Sequence, residues 1–364
     1  MTSKSKSIVI DSGSWTTKIG FVGAEQPKEI FPSIVGWPED TDEFQVGDEV
    51  KEPNIELEYP IDGRVIKDWD GMQKIWEYAF DKLQVDSEEH AVLLTEPPLN
   101  PMATREKMVQ VMFETFKTTD VYLSCQPVLA LHATGNKDQT GIIIDSGYSV
   151  THIVPIADGY CVSDAITRLD IGGLDITNYL DKMISDRGYE IANQNQVANE
   201  IKEKWAYVVM DARIQKTTNA SSSSGRHLKS YTLPDGQSVV LGDELFSCSE
   251  ALFSPSLIGK DMVAGIHKAT NQSISKCQDP KDLYAKIILA GGNTMFQGIG
   301  NRLAQEMKSL APLIENINVV ESPIRKNAAW IGGSLLASQA AFDTEWLSKA
   351  DYDESGPSIV KKCF

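Results

Sequence analysis

The sequence is poor in the features that mark secreted, zinc-stabilised or membrane-spanning chains. It has five cysteines in 364 residues, none spaced as C-x-x-C, so neither a disulfide framework nor a structural zinc site is expected. No stretch approaches the roughly 20 apolar residues of a membrane span. The polar residues 1–7 contain no apolar core and do not resemble a secretory signal. We expect a cytoplasmic protein, with the nucleus as the alternative.

Positive charge is also scarce. Lys and Arg number 34 against 51 Asp and Glu, a formal net charge of −17, which argues against nonspecific nucleic-acid binding because such binding needs clustered basic residues. Partners with basic patches remain compatible with this charge. The apolar content of 41% is ordinary for a soluble globular protein. The length suits two or three domains or one bilobed body.

What the sequence does contain is an internal repeat. An apolar strand ending in Asp-Ser-Gly, followed by a tight turn and Thr, occurs at residues 8–19 and again at 142–153, with Asp11 and Asp145 134 positions apart (145 − 11). The repeat predicts two related lobes. Turn N–H groups can bind anions, and an adjacent carboxylate can hold a hydrated divalent cation. One such turn is usually ordinary, but two matched copies predict a clamp on a nucleotide.

Apolar periodicity predicts alternating strands and helices, and therefore an α/β sheet in each lobe. The predicted helices are residues 69–83, 104–116, 196–210, 295–310 and 328–337. The last is rich in small residues, which suits close packing against another backbone. The predicted strands besides the repeat's own are 91–95 and 287–290, and exposed loops are expected at 36–43 and 219–225. The Gly-Gly turn at 291–292 is a weaker second nucleotide signal.

The order of these motifs resembles the actin superfamily, whose ATPase core is shared with sugar kinases and heat-shock chaperones. Further stretches narrow the resemblance to actin and the actin-related proteins, namely residues 31–36, 93–96, 98–101, 112–116, 201–204, 233–236, 351–360 and 362–364. The resemblance covers essentially the whole chain. It implies a bilobed actin-like ATPase fold of the α/β class, with duplicated mixed β-sheet domains and flanking helices around a nucleotide cleft.

The resemblance also implies four subdomains. Subdomain 1 would comprise residues 1–32, 60–133 and 328–364, and subdomain 2 residues 33–59 with a shortened loop at 37–45. Subdomain 3 would comprise residues 134–171 and 261–327, and subdomain 4 residues 172–260.

By the same resemblance, the cofactor would be ATP or ADP with Mg²⁺ or Ca²⁺. Asp11 and Asp145 would hold the hydrated cation, with Gln126 contacting it through water. Gln126 and His152, with Asp145, would make up the catalytic set that orients and deprotonates the attacking water. A lone His is more often structural, and the role of Gln126 rests on the resemblance alone.

Other residues match the family's nucleotide-binding positions. Lys18 would neutralise the phosphates, and Asn100 and Arg168 would form a gate through which the released phosphate leaves. The full nucleotide-binding set implied is Asp11, Gly13, Ser14, Lys18, Gly147, Gly173, Lys202, Glu203, Gly291, Gly292, Met295 and Lys326.

The chain departs from the actin pattern near the expected cleft. Tyr148-Ser149 stand where actins carry Asp-Gly, and side chains there narrow the conformations open to a turn expected at the γ-phosphate. Leu174 replaces an Arg, and Gly63 replaces a His. Nucleotide binding should persist because the Asp-x-Gly-x-x-x-Thr pattern is intact, whereas the hydrolysis rate is expected to differ.

The larger departure is mechanical. Conventional actins carry a long apolar-tipped loop after Gly36 that docks into the next subunit, whereas residues 37–45 here are mostly acidic or turn-forming, with Phe44 the main apolar residue near the tip. Each missing apolar anchor forfeits about 1.5–3 kcal/mol of burial. Near the lateral contact, Asn271 replaces an aromatic residue. The longitudinal contact of a filament is therefore expected to be weakened or remade.

Two functional hypotheses arise from the resemblance. The first is an ATP-binding, slowly ATP-hydrolysing cytoskeletal protein that assembles head to tail into filaments and interacts with proteins of the profilin or gelsolin type. The alternative is a non-polymerising actin-related subunit of a larger complex that uses ATP as a structural clamp. A small-molecule kinase on the same core is disfavoured, because the resemblance runs through surface segments that kinases lack.

Overall fold

The computed structural model describes residues 7–37, 44–50, 56–189, 194–221, 228–233 and 236–363. Most of the shortened loop (38–43), part of the low-complexity loop (222–225) and Phe364 lie outside the described residues. The chain divides into two compact units. Unit 1 comprises Met1–Ile143, Ile156–Ser163 and Ser322–Phe364, and unit 2 comprises Ile144–Pro155 and Asp164–Glu321.

Strands and helices alternate along the described chain. The strands are β1 (Ser7–Ser12), β2 (Thr16–Phe21), β3 (Glu29–Pro32), β4 (Val35–Trp37), β5 (Gln45–Val46), β6 (Glu56–Glu58), β7 (Ile61–Asp62), β8 (Val65–Ile66), β9 (Ala91–Glu96), β10 (Asp120–Cys125), β11 (Gly141–Ser146), β12 (Thr151–Ala157), β13 (Tyr160–Cys161), β14 (Thr167–Leu169), β15 (Lys229–Thr232), β16 (Ser238–Leu241), β17 (Ile287–Ala290), β18 (Val319–Val320) and β19 (Leu347–Ser348). The helices are α1 (Trp69–Leu83), α2 (Met102–Gln110), α3 (Gln126–His132), α4 (Gly173–Ser185), α5 (Gln194–Trp205), α6 (Ala212–Ser221), α7 (Glu244–Glu250), α8 (Ile266–Ser275), α9 (Pro280–Tyr284), α10 (Ile299–Leu310), α11 (Ala328–Ala337) and α12 (Lys349–Ser355). Within the described residues, none of these helices is long and apolar enough to cross a membrane.

Unit 1 is built on a six-stranded mixed sheet in the order β19-β10-β9-β1-β2-β3. Strands β1, β9 and β10 are parallel, and β2, β3 and β19 join antiparallel to their neighbours. Because parallel strands bring their carboxyl ends to one edge of a sheet, the residues that follow β1, β9 and β10 collect there. This edge carries the first half of the candidate site.

Helix α1 begins and ends where the sequence predicts. The Asp68 side chain caps its N-terminus by accepting from the N–H groups of Asp70 and Gly71, each at 3.0 Å, which satisfies two donors that the first turn leaves free. Its apolar stripe is buried in the unit 1 core, with Met72 and Ile75 fully shielded. Gln84 ends the helix in the left-handed conformation, at φ +58°.

Three other predicted helices have at least one wrong end. The helix expected at 104–116 starts at Met102 and becomes a π-helical turn at Val111–Thr115, and the helix expected to reach residue 210 ends at Trp205. The helix expected from Met295 starts at Ile299, since a 3₁₀ turn and Gly298, at φ +89°, come first. Residues 219–221, expected in a loop, lie in α6.

Unit 2 holds most of a second six-stranded sheet, whose path is β13-β12-β11-β17-β18 with β14 paired to β12. Unit 1 contains β13, residues 141–143 of β11 and residues 156–157 of β12. A buried ion pair fixes two helices of unit 2, because Arg302 of α10 contacts both carboxylate oxygens of Glu250 in α7, at 2.9 and 3.0 Å. The mixed sheets with flanking helices confirm the predicted α/β fold.

Helix α11 packs closely against its neighbours within unit 1, as its small residues predict. A Cβ at Gly332 would lie 1.8 Å from the carbonyl oxygen of Leu129 in α3, so only glycine permits this approach. Trp330, fully buried, donates from its indole nitrogen to the carbonyl oxygen of Val9 at 3.0 Å. The two contacts hold α11 against α3 and the central strand β1.

We expect Gly332→Ala to lower the free energy of unfolding by about 1–3 kcal/mol through overpacking, despite the gain of up to about 1 kcal/mol in helix propensity. Chemical denaturation followed by circular dichroism would measure the change. Gly333→Ala is the matched control, because the nearest atoms to a Cβ there are side-chain carbons of Val9 and Leu93, at 3.1 and 3.2 Å, and no backbone oxygen lies as close as at Gly332. Equal stability of the two variants would contradict the close approach of α11 to α3.

Candidate functional site

A buried carboxylate with three partners lies at the carboxyl edge of the unit 1 sheet. Lys18 contacts Asp11 through Nζ and Oδ2 at 2.9 Å. Thr95 Oγ1 and Gln126 Nε2 both donate to the other oxygen, Oδ1, at 2.7 and 2.9 Å. The structure thus brings together three of the sequence-predicted residues, Asp11, Lys18 and Gln126.

The sheet register explains why these side chains meet. Asp11 and Lys18 face each other in the β1–β2 hairpin. Leu94 lies beside Ile10 in the parallel pair β1–β9, so Thr95 follows at the level of Asp11. Gln126 begins α3 directly after β10. Residues that are distant in sequence therefore converge at a single sheet edge.

The electrostatic balance at Asp11 favours the charged form. Burial by itself would raise the pKa of this carboxyl group, because a low-dielectric surrounding disfavours the anion. The attraction of Lys18 and the hydrogen bonds from Thr95, Lys18 and Gln126 outweigh that effect and hold its pKa below the usual 3.8. Asp11 is therefore an ionised, preorganised carboxylate.

The amide of Gln126 is engaged at both ends. Its Nε2 donates to Asp11, and its Oε1 accepts a hydrogen bond from Arg64 NH1 at 3.2 Å. Arg64 follows Gly63 and adopts φ +66°. Arg64 was not predicted as a site residue, although its neighbour Gly63 was noted as a departure from the actin pattern.

The two copies of the repeat form the same turn. Gly13 N donates to Thr16 O at 3.0 Å, and Gly147 N donates to Val150 O at 3.1 Å. Close to the first turn, the hydroxyl of Ser14 is buried and has no hydrogen-bond partner among the described residues. Since buried hydroxyl groups are normally paired, Ser14 Oγ is available to an added ligand.

In unit 2 a second network forms around the Asp145 turn. Asn293 Nδ2 donates to Ser146 Oγ at 3.1 Å and to Gly147 O at 2.7 Å. A Cβ at Gly291, where φ is +86°, would lie 2.3 Å from Ser146 O and 2.8 Å from Asp145 Oδ1. Glycine is thus required at position 291 for the close approach to the Asp145 turn. The hydrogen bonds of Asn293 hold the Gly-Gly turn against it.

The start of α4 is tied to the same turn. Gly173 N donates to Gly147 O at 2.9 Å, and Leu174 N donates to Tyr148 O at 2.8 Å. The buried Lys202 donates through Nζ to Gly173 O at 2.9 Å and to Thr177 Oγ1 at 2.7 Å. In this structure Lys202 therefore helps to fix the first turn of α4.

The Tyr148-Ser149 substitution does not strain the backbone. The non-glycine residues with positive φ in the described chain are Arg64, Gln84, Leu99, Lys117, Gln139 and Asp158. Neither Tyr148 nor Ser149 therefore adopts the left-handed conformation that favours glycine. The altered turn keeps the hydrogen bond from Gly147 to Val150.

The remaining predicted residues are less tightly grouped. His152 is buried on β12, with Arg168 of β14 as its cross-strand partner. Arg168 Nε donates to Asp170 at 2.8 Å, whereas Asn100, in unit 1, donates to Glu96 at 2.8 Å. The gate assigned to Asn100 and Arg168 stays a prediction.

Four predicted nucleotide contacts are exposed: Glu203, Gly292, Met295 and Lys326. Glu203 accepts from Asn199 at 3.2 Å. A Cβ at Gly292 would meet no atom within 4 Å, so its surroundings are open. These residues also stay predictions.

Sequence reasoning missed Thr95, Arg64 and Asn293. Thr95 ends a predicted strand beside β1, and the rule that parallel strands share a carboxyl edge could have indicated it. Asn293 follows the Gly-Gly turn, and that adjacency was its only signal. Arg64 had none, because its contact with Gln126 spans 62 positions.

One comparison with known proteins bears on this arrangement. The family model described as Actin matches residues 2–364, essentially the whole chain. The α/β architecture and the paired Asp-Ser-Gly turns agree with that match. The chain belongs to the actin family.

Proposed function

We propose that this protein binds ATP or ADP together with Mg²⁺ or Ca²⁺, hydrolyses ATP slowly, and assembles head to tail into filaments. Members of the actin family generally bind a nucleotide with a divalent cation and generally self-associate. The observation that carries the proposal is the pair of Asp-Ser-Gly turns closed by equivalent hydrogen bonds, from Gly13 to Thr16 and from Gly147 to Val150.

The residues present fit a bound nucleotide. Ser14 Oγ is a buried hydroxyl without a partner among the described residues, as expected of a group that a phosphate oxygen would satisfy. Gly13, Ser14 and Lys18 would bind phosphate in unit 1, and Gly147 in unit 2. Gly173, Lys202, Glu203, Gly291, Gly292, Met295 and Lys326 would serve the ribose and adenine.

Asp11 and Asp145 would hold the divalent cation through water. Mg²⁺ is usually bound by one or two carboxylates together with waters and phosphates, and the two aspartates would supply those carboxylates. When bound, the cation would supply charge neutralisation at the transferring phosphoryl group.

Gln126 would orient the attacking water. Its Nε2 is fixed on Asp11, which leaves Oε1 to accept from water. An amide oxygen has two lone pairs, and Arg64 occupies one of them at 3.2 Å. One acceptor direction of Gln126 Oε1 is therefore left for the attacking water. This restriction supports the proposal of slow hydrolysis. His152 would take the proton, directly or through a second water.

One observation favours the alternative, a non-polymerising subunit of a larger complex that uses ATP as a clamp. Phe44, the main apolar residue of the shortened loop, packs against the core of its own unit. Its ring lies 5.9 Å from that of Trp37, and Lys74 Nζ lies 4.2 Å from its centroid. A side chain packed in this way is not free to anchor a neighbouring subunit.

The cellular setting of the proposal derives from the family. We propose a cytoplasmic, cytoskeletal protein, with the nucleus as the alternative. Partners of the profilin or gelsolin type would accompany filament formation. Subdomain boundaries are proposed as the sequence implies them, at residues 32/33, 59/60, 133/134, 171/172, 260/261 and 327/328.

We expect Mg·ATP to raise the melting temperature of the unmodified protein. A ligand that binds only the folded state stabilises it by about 2.7 kcal/mol at a hundred times its dissociation constant. Asp11→Ala and Asp145→Ala should each abolish this ligand-dependent shift, measured against the same variant without ligand. Asp81→Ala, at an exposed position of α1, should retain it. An unmodified protein that melts at one temperature with and without Mg·ATP would overturn the nucleotide proposal.

Gln126→Ala should slow single-turnover hydrolysis at least about tenfold, equivalent to about 1.4 kcal/mol, while nucleotide affinity changes less. The reason is that water orientation matters mainly in the transition state. Gln110→Ala is the control, since Gln110 donates to Glu114 on the helix surface at 2.9 Å. Weakened affinity with an unchanged hydrolysis rate would show that Gln126 binds nucleotide but does not orient water.

The shortened loop should make any filament less stable than that of conventional actin, with a higher critical concentration and faster subunit exchange. Its acidic residues would repel a like-charged neighbour, so added salt should favour assembly by screening. Replacing residues 38–45 with a longer apolar-tipped loop should lower the critical concentration measured by pelleting and light scattering. A graft of the same length with a polar tip controls for length alone. Long-lived filaments of the natural protein at low salt would rule out this loop as the limiting contact.

A further inference from the structure

Two cysteines of unit 1 lie side by side although they are 36 positions apart in sequence. Cys161 Sγ donates a hydrogen bond to Cys125 Sγ at 3.9 Å. Both residues are partly exposed, and neither is in a disulfide. The pair therefore combines proximity with access for a small oxidant.

Regular structure holds both residues in place. Cys125 ends β10, in register with Glu96 of β9, and Cys161 ends β13, paired with Ile156 of β12. A disulfide has a sulfur–sulfur distance of about 2.05 Å. Closing the present 3.9 Å gap therefore needs the sulfurs to approach by about 2 Å.

The other cysteines lack this arrangement. Cys248 is fully buried and donates to the carbonyl oxygen of Leu245 at 3.5 Å. Cys277 donates to the carbonyl oxygen of Ser273 at 3.6 Å. Cys363, in the last 3₁₀ segment, packs against the unit 1 core. Cys125 and Cys161 are thus the cysteines for which the structure gives a sulfur partner.

The surroundings also distinguish the two thiols. As a thiolate, Cys161 would accept a hydrogen bond from the Cys125 thiol, and this interaction lowers the pKa of Cys161. The charge of Arg105 acts in the same direction, whereas burial and the charge of Glu96 act against it. A thiolate is the reactive form of cysteine. Cys161 is accordingly the sulfur expected to react first.

We propose that Cys125 and Cys161 form a peroxide-responsive dithiol site that closes reversibly to a disulfide. Cys161 loses its thiol proton to solvent, and the thiolate attacks one oxygen of hydrogen peroxide. The O–O bond breaks to give Cys161 sulfenic acid and hydroxide, which takes up a proton from solvent to become water. The Cys125 sulfur then attacks the sulfenic sulfur, the S–O bond breaks, and a second water leaves as the S–S bond forms. Two thiols lose two electrons, and the peroxide is reduced to two waters. A dithiol reductant reverses the step by exchange.

The dithiol site lies next to the buried carboxylate network of unit 1. Cys125 is the residue before Gln126, whose side chain donates to Asp11. The loop closed by the disulfide also contains two points where the chain passes between units, at Ile143–Ile144 and Pro155–Ile156. Oxidation would thus add a covalent link next to the buried carboxylate network. It would also close a loop that contains both of these points.

The test is disulfide mapping on the full-length protein. The reduced protein is treated with near-stoichiometric hydrogen peroxide, its free thiols are blocked with N-ethylmaleimide, and the non-reduced digest is analysed by mass spectrometry. We expect the main oxidised species to be a cross-linked peptide pair joining Cys125 to Cys161, lighter by two hydrogen atoms than the sum of its reduced parts. Dithiothreitol should remove it.

Variants make the assignment specific. Cys125→Ser should eliminate the cross-link and leave a Cys161 sulfenic acid that dimedone traps, whereas Cys277→Ser and Cys363→Ser should retain the cross-link. Circular dichroism of each variant checks its folding, and the mapping of the unmodified protein decides the question even if a variant misfolds. Oxidation of other cysteines without a Cys125–Cys161 link, or a main link from either residue to Cys363, would overturn the proposal. The readout needs no nucleotide, so it stands or falls separately from the proposed function.

Discussion

The arrangement at the carboxyl edge of unit 1 depends on one buried charge. An isolated carboxylate inside a protein is unstable as an anion and would take up a proton, but Asp11 stays ionised because Lys18 faces it across the β1–β2 hairpin. That pairing requires the hairpin to close at the observed register, which the hydrogen bond from Gly13 to Thr16 secures. Removing either charge would leave the other buried without its partner, and such losses are strongly destabilising.

The repeat preserves this turn and changes its chemistry. The offset that relates Asp11 to Asp145 also relates Lys18 to His152 (152 − 18 = 134). Unit 1 therefore carries a lysine at the position where unit 2 carries a histidine. Under the proposed function, this difference would let the lysine of unit 1 neutralise phosphate and the histidine of unit 2 accept a proton from water.

The sequence predicted some features to the residue and missed others for physical reasons. α1 and α11 have the predicted bounds, because α1 has a regular apolar stripe with a capping Asp and α11 consists of small residues that a close helix contact requires. The start of α10 was missed because Gly298 adopts a left-handed conformation that periodicity does not report. Within the site, Asp11 was predictable from the internal repeat and Lys18 from the resemblance to actins, and the hairpin register then places them opposite each other. Arg64 was not, since its contact with Gln126 depends on how distant segments pack.

Membership of the actin family fixes the fold of this chain more firmly than its rate of hydrolysis or its assembly. The altered turn at Tyr148-Ser149 needs no left-handed residue and keeps the hydrogen bond from Gly147 to Val150, so the substitutions leave the turn closed. The contacts that bear on the proposed function are those of Gln126 and of the shortened loop. Arg64 takes an acceptor direction of Gln126, and Phe44 packs on its own unit. Under the proposed function, both contacts would bear on hydrolysis and assembly rather than on nucleotide binding, so nucleotide retention would be the property least sensitive to this chain's divergence.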